Sequence, residues 1–140
     1  MVSTASRPRS AVFLVSHSSA GGVQEMWADL AEGFRERGYA TSLAALYPGV
    51  GEVQTTSAQI PWTHIVERKP TSLLGRVAML KALARFLAAH SPSIVFTAMP
   101  AANVLAAAAA TLAGPGVTVA TSHHSPAQTH NPILNRLDGL

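Results

Sequence analysis

One stretch near the start of the chain constrains the fold more than any other. The apolar run at residues 11–15 breaks into a small polar turn at residues 16–22, and an amphipathic helix then follows and stops at Gly38. A buried strand that leads through a glycine turn into a helix leaves free backbone N–H groups at the turn, which suits a phosphate or another anion. The stretch therefore predicts an α/β unit with a candidate anion site at its turn.

The same alternation of strand and helix continues along the chain. Helical spacing of apolar residues predicts helices over residues 23–37, 72–89 and 101–112, and Thr71 or Ser72 can cap the second. Short apolar runs predict strands over residues 11–15, 41–46, 62–66, 93–97 and 117–121. Residues 50–61 lack a period and predict a loop, and residues 131–140 look like the beginning of a further helix. On the second helix, the apolar stripe that we expect to be buried consists of Leu73, Val77, Leu80, Ala84 and Leu87.

Short apolar strands separated by helices favour a mostly parallel sheet covered on both faces. With right-handed crossovers, the pattern predicts an α/β fold, a Rossmann-like three-layer sandwich. Ligands of such folds bind beyond the carboxyl ends of the strands. Those ends fall at residues 16–22, 98–103 and 122–125. The polar and glycine residues that they carry include Ser16, His17, Gly21, Gly22, Asn103, His123 and His124.

Composition limits the class of protein. With 140 residues, of which 48% are hydrophobic and 12% charged, we expect one domain with a real core and a surface partly covered by a neighbour. The chain has no cysteine, which excludes disulfides and thiolate metal sites. The apolar run at residues 11–15 is too short for a signal peptide, and the alanine-rich stretch at residues 101–113 is too short for a membrane span. We therefore expect a soluble, cytoplasmic protein.

The charges are distributed unevenly although the net charge is only +3. No acidic residue lies between Arg68 and Leu137, whereas six basic residues lie from Arg68 to Arg136. This asymmetry favours an anionic partner, either phosphate groups or an anionic membrane surface, and equally fits a chance distribution of few charges. Nucleic acid is not expected, because no interleaved aromatic residues or reading motif accompany the basic ones. On the second helix, Arg76 is expected near the apolar stripe, with Lys81 and Arg85 roughly opposite.

The glycine turn does not match a cofactor fingerprint. Only two adjacent glycines, Gly21 and Gly22, stand where a dinucleotide motif needs three spaced ones, and no acid closes the second strand to hold a ribose. No cofactor is predicted. Two interpretations remain open: the turn brings its backbone close to a ligand such as a diphosphate, or it simply packs a helix on the sheet.

The histidine pair His123 and His124 directly follows the fifth predicted strand. A metal site would need His17 or His130 to converge on them, with no acid nearby, so no metal is predicted. A neutral imidazole that hydrogen-bonds a sugar or a phosphate is the simpler function, and a satisfied polar residue is the alternative. Neither a Ser-His-Asp triad nor paired carboxylates can be read at the strand ends, which argues against a hydrolase.

These features together resemble the N-terminal domain of family 4 glycosyltransferases of the GT-B fold. The resemblance rests on the strand, the turn Ala20-Gly21-Gly22 and a helix that ends in Arg37-Gly38-Tyr39. It extends to the segment 93–103, and to the segment 112–126 that contains His123 and His124. The order and spacing of the motifs cover most of the chain, from residue 11 to residue 140.

The resemblance implies an enzyme that transfers a sugar, with retention and without a metal, from a nucleotide-diphosphate sugar to a glycan or lipid-linked acceptor, as in polysaccharide biosynthesis. It implies that Gly21 and Gly22 approach the donor diphosphate and that His123 contacts the donor sugar as the catalytic candidate, with His124 as the near alternative. Asn103 matches a polar residue that some members place after the fourth strand. Ser16 and His17 complete the expected donor- or acceptor-binding set.

The resemblance also implies a second, donor-binding domain. We expect residues 1–10 to form a flexible tail and residues 11–140 to form the acceptor-side domain. The C-terminal domain is expected to be absent, so that the chain alone is inactive or nearly so. The missing domain would then belong to a longer gene product or to a partner chain. The alternative is a non-catalytic α/β module, or a split-enzyme subunit, that docks an anionic ligand or a partner chain. A peripheral contact with the inner membrane face through the basic residues is a further prediction.

Overall fold

The computed structural model describes residues 9–50 and 60–123. These residues form five strands and three helices. In chain order they are β1 (Ser10–His17), α1 (Gly22–Glu36), β2 (Ala40–Tyr47), β3 (Trp62–His64), α2 (Leu73–His90), β4 (Ile94–Ala98), α3 (Pro100–Ala113) and β5 (Thr118–Ser122). The elements therefore follow the predicted order, and most bounds move by one or two residues.

The five strands form one parallel sheet in the order β3-β2-β1-β4-β5. The order changes direction at β1, because the chain builds outward on one side to β3 and then returns to the other side for β4. Helix α1 packs on one face of the sheet, and α2 and α3 pack on the other. This arrangement confirms the Rossmann-like α/β sandwich.

The face under α1 is held by aromatic side chains. Phe13 of β1 lies with its ring centroid 5.7 Å from that of Trp27, 5.4 Å from that of Phe34 and 5.0 Å from that of Phe96. The Trp27 indole N–H donates to the backbone carbonyl of Leu14 at 3.2 Å, which satisfies its one polar atom inside the core. These contacts fix the register of α1 on β1, and so the position of the turn that joins them.

The opposite face brings two helices close together through small residues. Four alanines of α3 are buried against the sheet and α2: Ala102, Ala106, Ala109 and Ala110. Leu83 and Leu87 of α2 are fully buried in the same cluster. Alanine lets the helix axis approach closely, and the leucines of the neighbouring helix then fill the remaining space.

The structure corrects two details of the sequence interpretation. Strand β1 extends through Ser16 and His17, which were expected in the turn, because its pairing with β2 continues as far as His17 opposite Tyr47. The first turns of α2 are not buried as expected: Leu73 is 76% exposed and Val77 is 43% exposed. The later part of the predicted stripe is confirmed, since Leu87 is fully buried and Leu80 and Ala84 pack against the core. Met79 and Leu83 complete the buried face, so α2 reaches the core only from its second turn onward.

Other features were either confirmed or lie outside the described residues. Ser72 caps α2, since its hydroxyl oxygen accepts a hydrogen bond from the Gly75 N–H at 3.0 Å. The predicted helix over residues 131–140, most of the predicted loop 50–61, and His124 and His130 lie outside the described ranges. Among the described helices, none combines the length and the hydropathy needed to cross a bilayer.

The burial pattern of α2 makes a direct prediction for stability. Replacing the fully buried Leu83 with alanine removes packed methyl groups and leaves a cavity, so we expect a loss of about 2–5 kcal/mol in the free energy of unfolding. Leu74→Ala is the matched control, because Leu74 is 83% exposed on the same helix, and its effect should stay within about 0.5 kcal/mol. Urea denaturation of both variants measures the difference. Equal effects would show that the buried face is assigned wrongly.

Candidate functional site

The candidate site lies along the carboxyl edge of the sheet, where ligands of open parallel sheets bind. The ends of β1, β2, β4 and β5 carry His17, Tyr47, Met99 and His123, in or directly after the strand. Neighbouring strands lie about 4.8 Å apart, so β1 and β5 are separated by roughly 10 Å. An edge of that width can accommodate a sugar or a diphosphate.

His17 and Tyr47 form the best-defined part of this edge. They are register partners at the ends of β1 and β2, and their rings stack with centroids 6.4 Å apart and planes inclined by 30°. The Lys69 ammonium lies over the Tyr47 ring at 5.8 Å from its centroid. Tyr47 and Lys69 were not among the sequence-derived site residues. The sequence signal that could have found them was a tyrosine at the end of the second strand and a lysine shortly after the third.

The burial and the charge state of the His17 imidazole are defined by its surroundings. Its Nδ1 atom is buried and has no hydrogen-bond partner among the described residues. Burial lowers the pKa of His17, because desolvation penalises the imidazolium, and the nearby Lys69 cation lowers this pKa further. Near neutral pH, the His17 imidazole is therefore neutral.

A second histidine, His64 at the end of β3, is hydrogen-bonded to the loop after β1. The Ser18 hydroxyl and the His64 Nε2 atom are 2.7 Å apart, and the Gly49 N–H points at the same hydroxyl oxygen from 3.4 Å. A Cβ atom on Gly49 would lie 1.8 Å from the Ser19 hydroxyl oxygen and 2.4 Å from the Ser19 nitrogen. Only glycine fits there, so the loops after β1 and β2 are packed together into one wall of the site.

The glycine turn opens toward solvent. Gly21 is the N-cap residue of α1 and, as glycine, offers no side chain to cap the helix. Gly21 and Gly22 are both exposed, and a Cβ atom added to Gly22 would meet nothing within 4 Å. The Gln24 side chain ties the turn to β1 by donating to the His17 carbonyl at 3.0 Å. The turn is therefore open at Gly22 and bordered at Gly21 by the buried Gln24 side chain, whose Oε1 atom would lie 2.7 Å from a Cβ atom on Gly21.

Ser16 and Asn103 lie behind the edge rather than on its surface. Ser16 is 4% exposed, and its hydroxyl oxygen accepts the Ala102 N–H at 3.1 Å. Asn103 is 1% exposed; its Oδ1 accepts from the Thr97 hydroxyl at 2.7 Å, and its Nδ2 donates to the Ser122 carbonyl at 3.4 Å. Both side chains therefore join β1, β4, β5 and α3 into one edge, and a direct ligand contact by either stays a prediction.

The turn between β4 and α3 carries backbone strain at the same edge. Met99 has φ 79°, in the left-handed region that non-glycine residues rarely adopt. Such conformations are concentrated at functional sites, where the surrounding structure holds them. Here the Met99 carbonyl accepts the Asn103 N–H at 3.0 Å, which closes the first turn of α3.

His123 is exposed directly after β5. Its neighbour His124 lies outside the described residues, so the choice between the two histidines stays a prediction. Within residues 9–50 and 60–123, no three histidine or acidic side chains gather in a way that could hold a metal ion.

The parallel sheet with helices on both faces defines a Rossmann-like α/β domain, whose carboxyl edge carries the glycine turn, the histidines and Lys69. A family model, the glycosyl transferase 4-like domain, matches residues 21–138. Because the match covers far more than half of the chain, the chain belongs to this glycosyltransferase family. The matched residues contain Gly21, Gly22, Asn103, His123 and His124. No curated protein matches the chain.

The electrostatics of His17 give a prediction that can be measured without a substrate. NMR titration of the imidazole should give a pKa below 6.5, the ordinary value, and the Lys69→Met variant should move it upward. The pKa should not return fully to 6.5, because burial is the larger cause. Since the folded protein binds this proton less readily than the unfolded chain, His17 should lower the free energy of unfolding as the pH falls below 6.5. An unchanged pKa of His17 in the Lys69→Met variant would show that the Lys69 charge does not act on the imidazole.

Proposed function

We propose that this chain supplies the acceptor-side wall of a glycosyltransferase that moves a sugar from a nucleotide-diphosphate sugar to a glycan or lipid-linked acceptor. The observation that carries the proposal is the combination, on one sheet edge, of the exposed glycine turn at the start of α1 and the His17–Tyr47–Lys69 cluster. Family membership makes glycosyl transfer the chemistry that this edge would serve.

The glycine turn is the part proposed to face the donor. Free N–H groups and the positive end of the α1 dipole stabilise an anion at this position, and the missing Cβ atoms let a diphosphate approach the backbone closely. The open space around Gly22 supports such an approach. Stabilisation of the departing nucleoside diphosphate is where an arrangement of this kind contributes to the rate.

The His17–Tyr47–Lys69 cluster is the part proposed to face the acceptor. Tyr47 contributes an aromatic ring with a hydroxyl group, His17 contributes a neutral imidazole, and Lys69 contributes a positive charge. A hydroxylated acceptor fits this combination better than a purely apolar one.

Transfer is proposed to require a second, nucleotide-binding domain, which another part of the gene product or a partner chain would supply. The exposure of Gly21, Gly22 and His123 supports this proposal, since residues at the wall of a cleft are exposed until the second domain covers them, and closure would exclude water. We expect the 140-residue chain to show little or no transfer by itself, and we expect the complete enzyme to retain the anomeric configuration.

Replacing Gly22 with valine should block access to the glycine turn without unfolding the domain, since the added atoms meet open space. NMR titration of the chain with inorganic pyrophosphate and with UDP should shift the amide signals of residues 21–24. We expect Gly22→Val to weaken this binding by about tenfold or more, because losing hydrogen bonds from backbone N–H groups to a charged ligand lowers its affinity by about that factor. Gly33→Val on the same helix is the control. Absence of shifts at these amides in the unmodified chain would contradict the donor role.

His123→Ala separates a role in transfer from a role in folding. His123 is exposed, so the variant should change the free energy of unfolding by less than about 0.5 kcal/mol. In the transferase assembled with its nucleotide-binding domain, turnover should fall by about tenfold or more, as expected for the loss of a hydrogen bond to the reacting sugar. Full activity of the His123→Ala variant would show that His123 takes no part in transfer.

The non-catalytic binding module remains the second candidate, and the uneven charge favours it. No acid lies between Arg68 and His123, so half of the described sequence is free of negative side chains. Binding of pyrophosphate at the glycine turn, with no transfer after any nucleotide-binding domain is added, would indicate this function instead.

A further inference from the structure

The outer face of α2 combines exposed apolar side chains with cations. At about 100° per residue, positions 74, 77, 81 and 85 fall within an arc of about 80° on the helix. Leu74 is 83% exposed and Val77 is 43% exposed, and Lys81 and Arg85 are both exposed. We call these four residues the α2 stripe.

The α2 stripe lies opposite the side of the helix that is buried. Met79, Leu83 and Leu87 pack into the core, and they are centred about 180° from Leu74 around the helix axis. The stripe is therefore not needed for the core of the domain. Leu73, at the edge of the stripe, is 76% exposed and extends its apolar end.

Further cations lie beside the apolar end of the stripe. Arg68 and Lys69 are exposed and directly precede the first turn of α2. The segment that carries them folds back on the helix, because a Cβ atom on Gly75 would come within 3.0 Å of Pro70 Cβ. No acidic residue occurs in α2, in α3 or anywhere between Arg68 and His123.

We propose that the α2 stripe docks the domain on an anionic lipid surface. Exposed leucine and valine at one end of a helix, next to lysine and arginine on the same face, suit insertion at the boundary between headgroups and acyl chains. The cations meet the negative surface potential, and each adds to binding. A second copy of the chain fits the face less well, since pairing would bring Lys81 and Arg85 of both copies together without an acid on α2 to neutralise them.

Docking through the α2 stripe would also bring the candidate site close to the lipid surface. Helix α2 follows β3 and begins on the side of the sheet where the carboxyl ends of the strands lie. Insertion of Leu73 and Leu74 would therefore hold the carboxyl edge near the lipid surface. The docking is a binding event that does not depend on the proposed transfer, and it can be tested without a donor or an acceptor.

The test is cosedimentation of the 140-residue chain with vesicles of phosphatidylcholine alone and of phosphatidylcholine with phosphatidylglycerol. We expect binding to the anionic vesicles only, weakening as salt is raised. Leu74→Ser with Val77→Ser should lower the partition coefficient by about tenfold or more. Lys81→Glu with Arg85→Glu should remove the preference for anionic vesicles.

Matched controls make the result specific to the stripe. Leu112→Ser changes a leucine that is 63% exposed on α3. Arg35→Glu with Arg37→Glu changes the net charge by the same amount, at the last turn of α1 and its C-cap. Both should bind within about twofold of the unmodified chain, because neither lies on the stripe. Circular dichroism verifies that every variant folds. Should the double variant at Leu74 and Val77 fail to fold, Leu74→Ser alone replaces it.

Three results would overturn the proposal. The unmodified chain could fail to bind anionic vesicles. The stripe variants could bind as well as the two controls, which would place the contact elsewhere. Sedimentation could show a dimer that Leu74→Ser dissociates, with no vesicle binding, and the face would then be an interface between copies of the chain.

Discussion

The pairing of β1 with both of its neighbours is the constraint on which the rest of the structure depends. β1 lies between β2 and β4, and its residues alternate between the aromatic cluster under α1 and the leucine–alanine cluster under α2 and α3. Its backbone is bonded on both sides and its side chains are buried on both faces, so β1 is the middle strand about which the other four are arranged. Everything at the carboxyl edge is positioned relative to its last residue, His17.

The candidate site follows from how that strand ends. The pairing of His17 with Tyr47 sets the stacked rings, and the Gln24 contact with the His17 carbonyl places the glycine turn beside them. Ser16 and Asn103 connect the same edge to β4, β5 and α3 through buried hydrogen bonds. The polar groups behind the edge are satisfied by the protein, whereas the buried Nδ1 of His17 has no partner among the described residues.

The chemical pattern of the sequence predicted the fold well and the site only in part. Strand and helix periods are local properties, and five apolar runs between amphipathic segments allow few arrangements other than a parallel sheet. Lys69 and His64 could not be predicted as neighbours of His17 and Ser18, because those contacts join residues about fifty positions apart through the pairing of β1, β2 and β3. The buried face of α2 was misjudged for a related reason: Leu73 is as apolar as Leu87, and only the neighbouring elements decide which of them is covered.

The sequence by itself determined the element order, the α/β class, the glycine turn before α1 and the family to which the chain belongs. Each of these depends on which residue types follow one another along the chain and at what spacing. The tertiary structure alone decided that β1 continues through His17, that Tyr47 and Lys69 join it, that Ser16 and Asn103 are buried, and that Leu74 and Val77 face outward. The physical reason is that burial and contact are properties of packed surfaces. Apolar periodicity shows which residues could be buried, and only the neighbouring strand or helix determines which of them are.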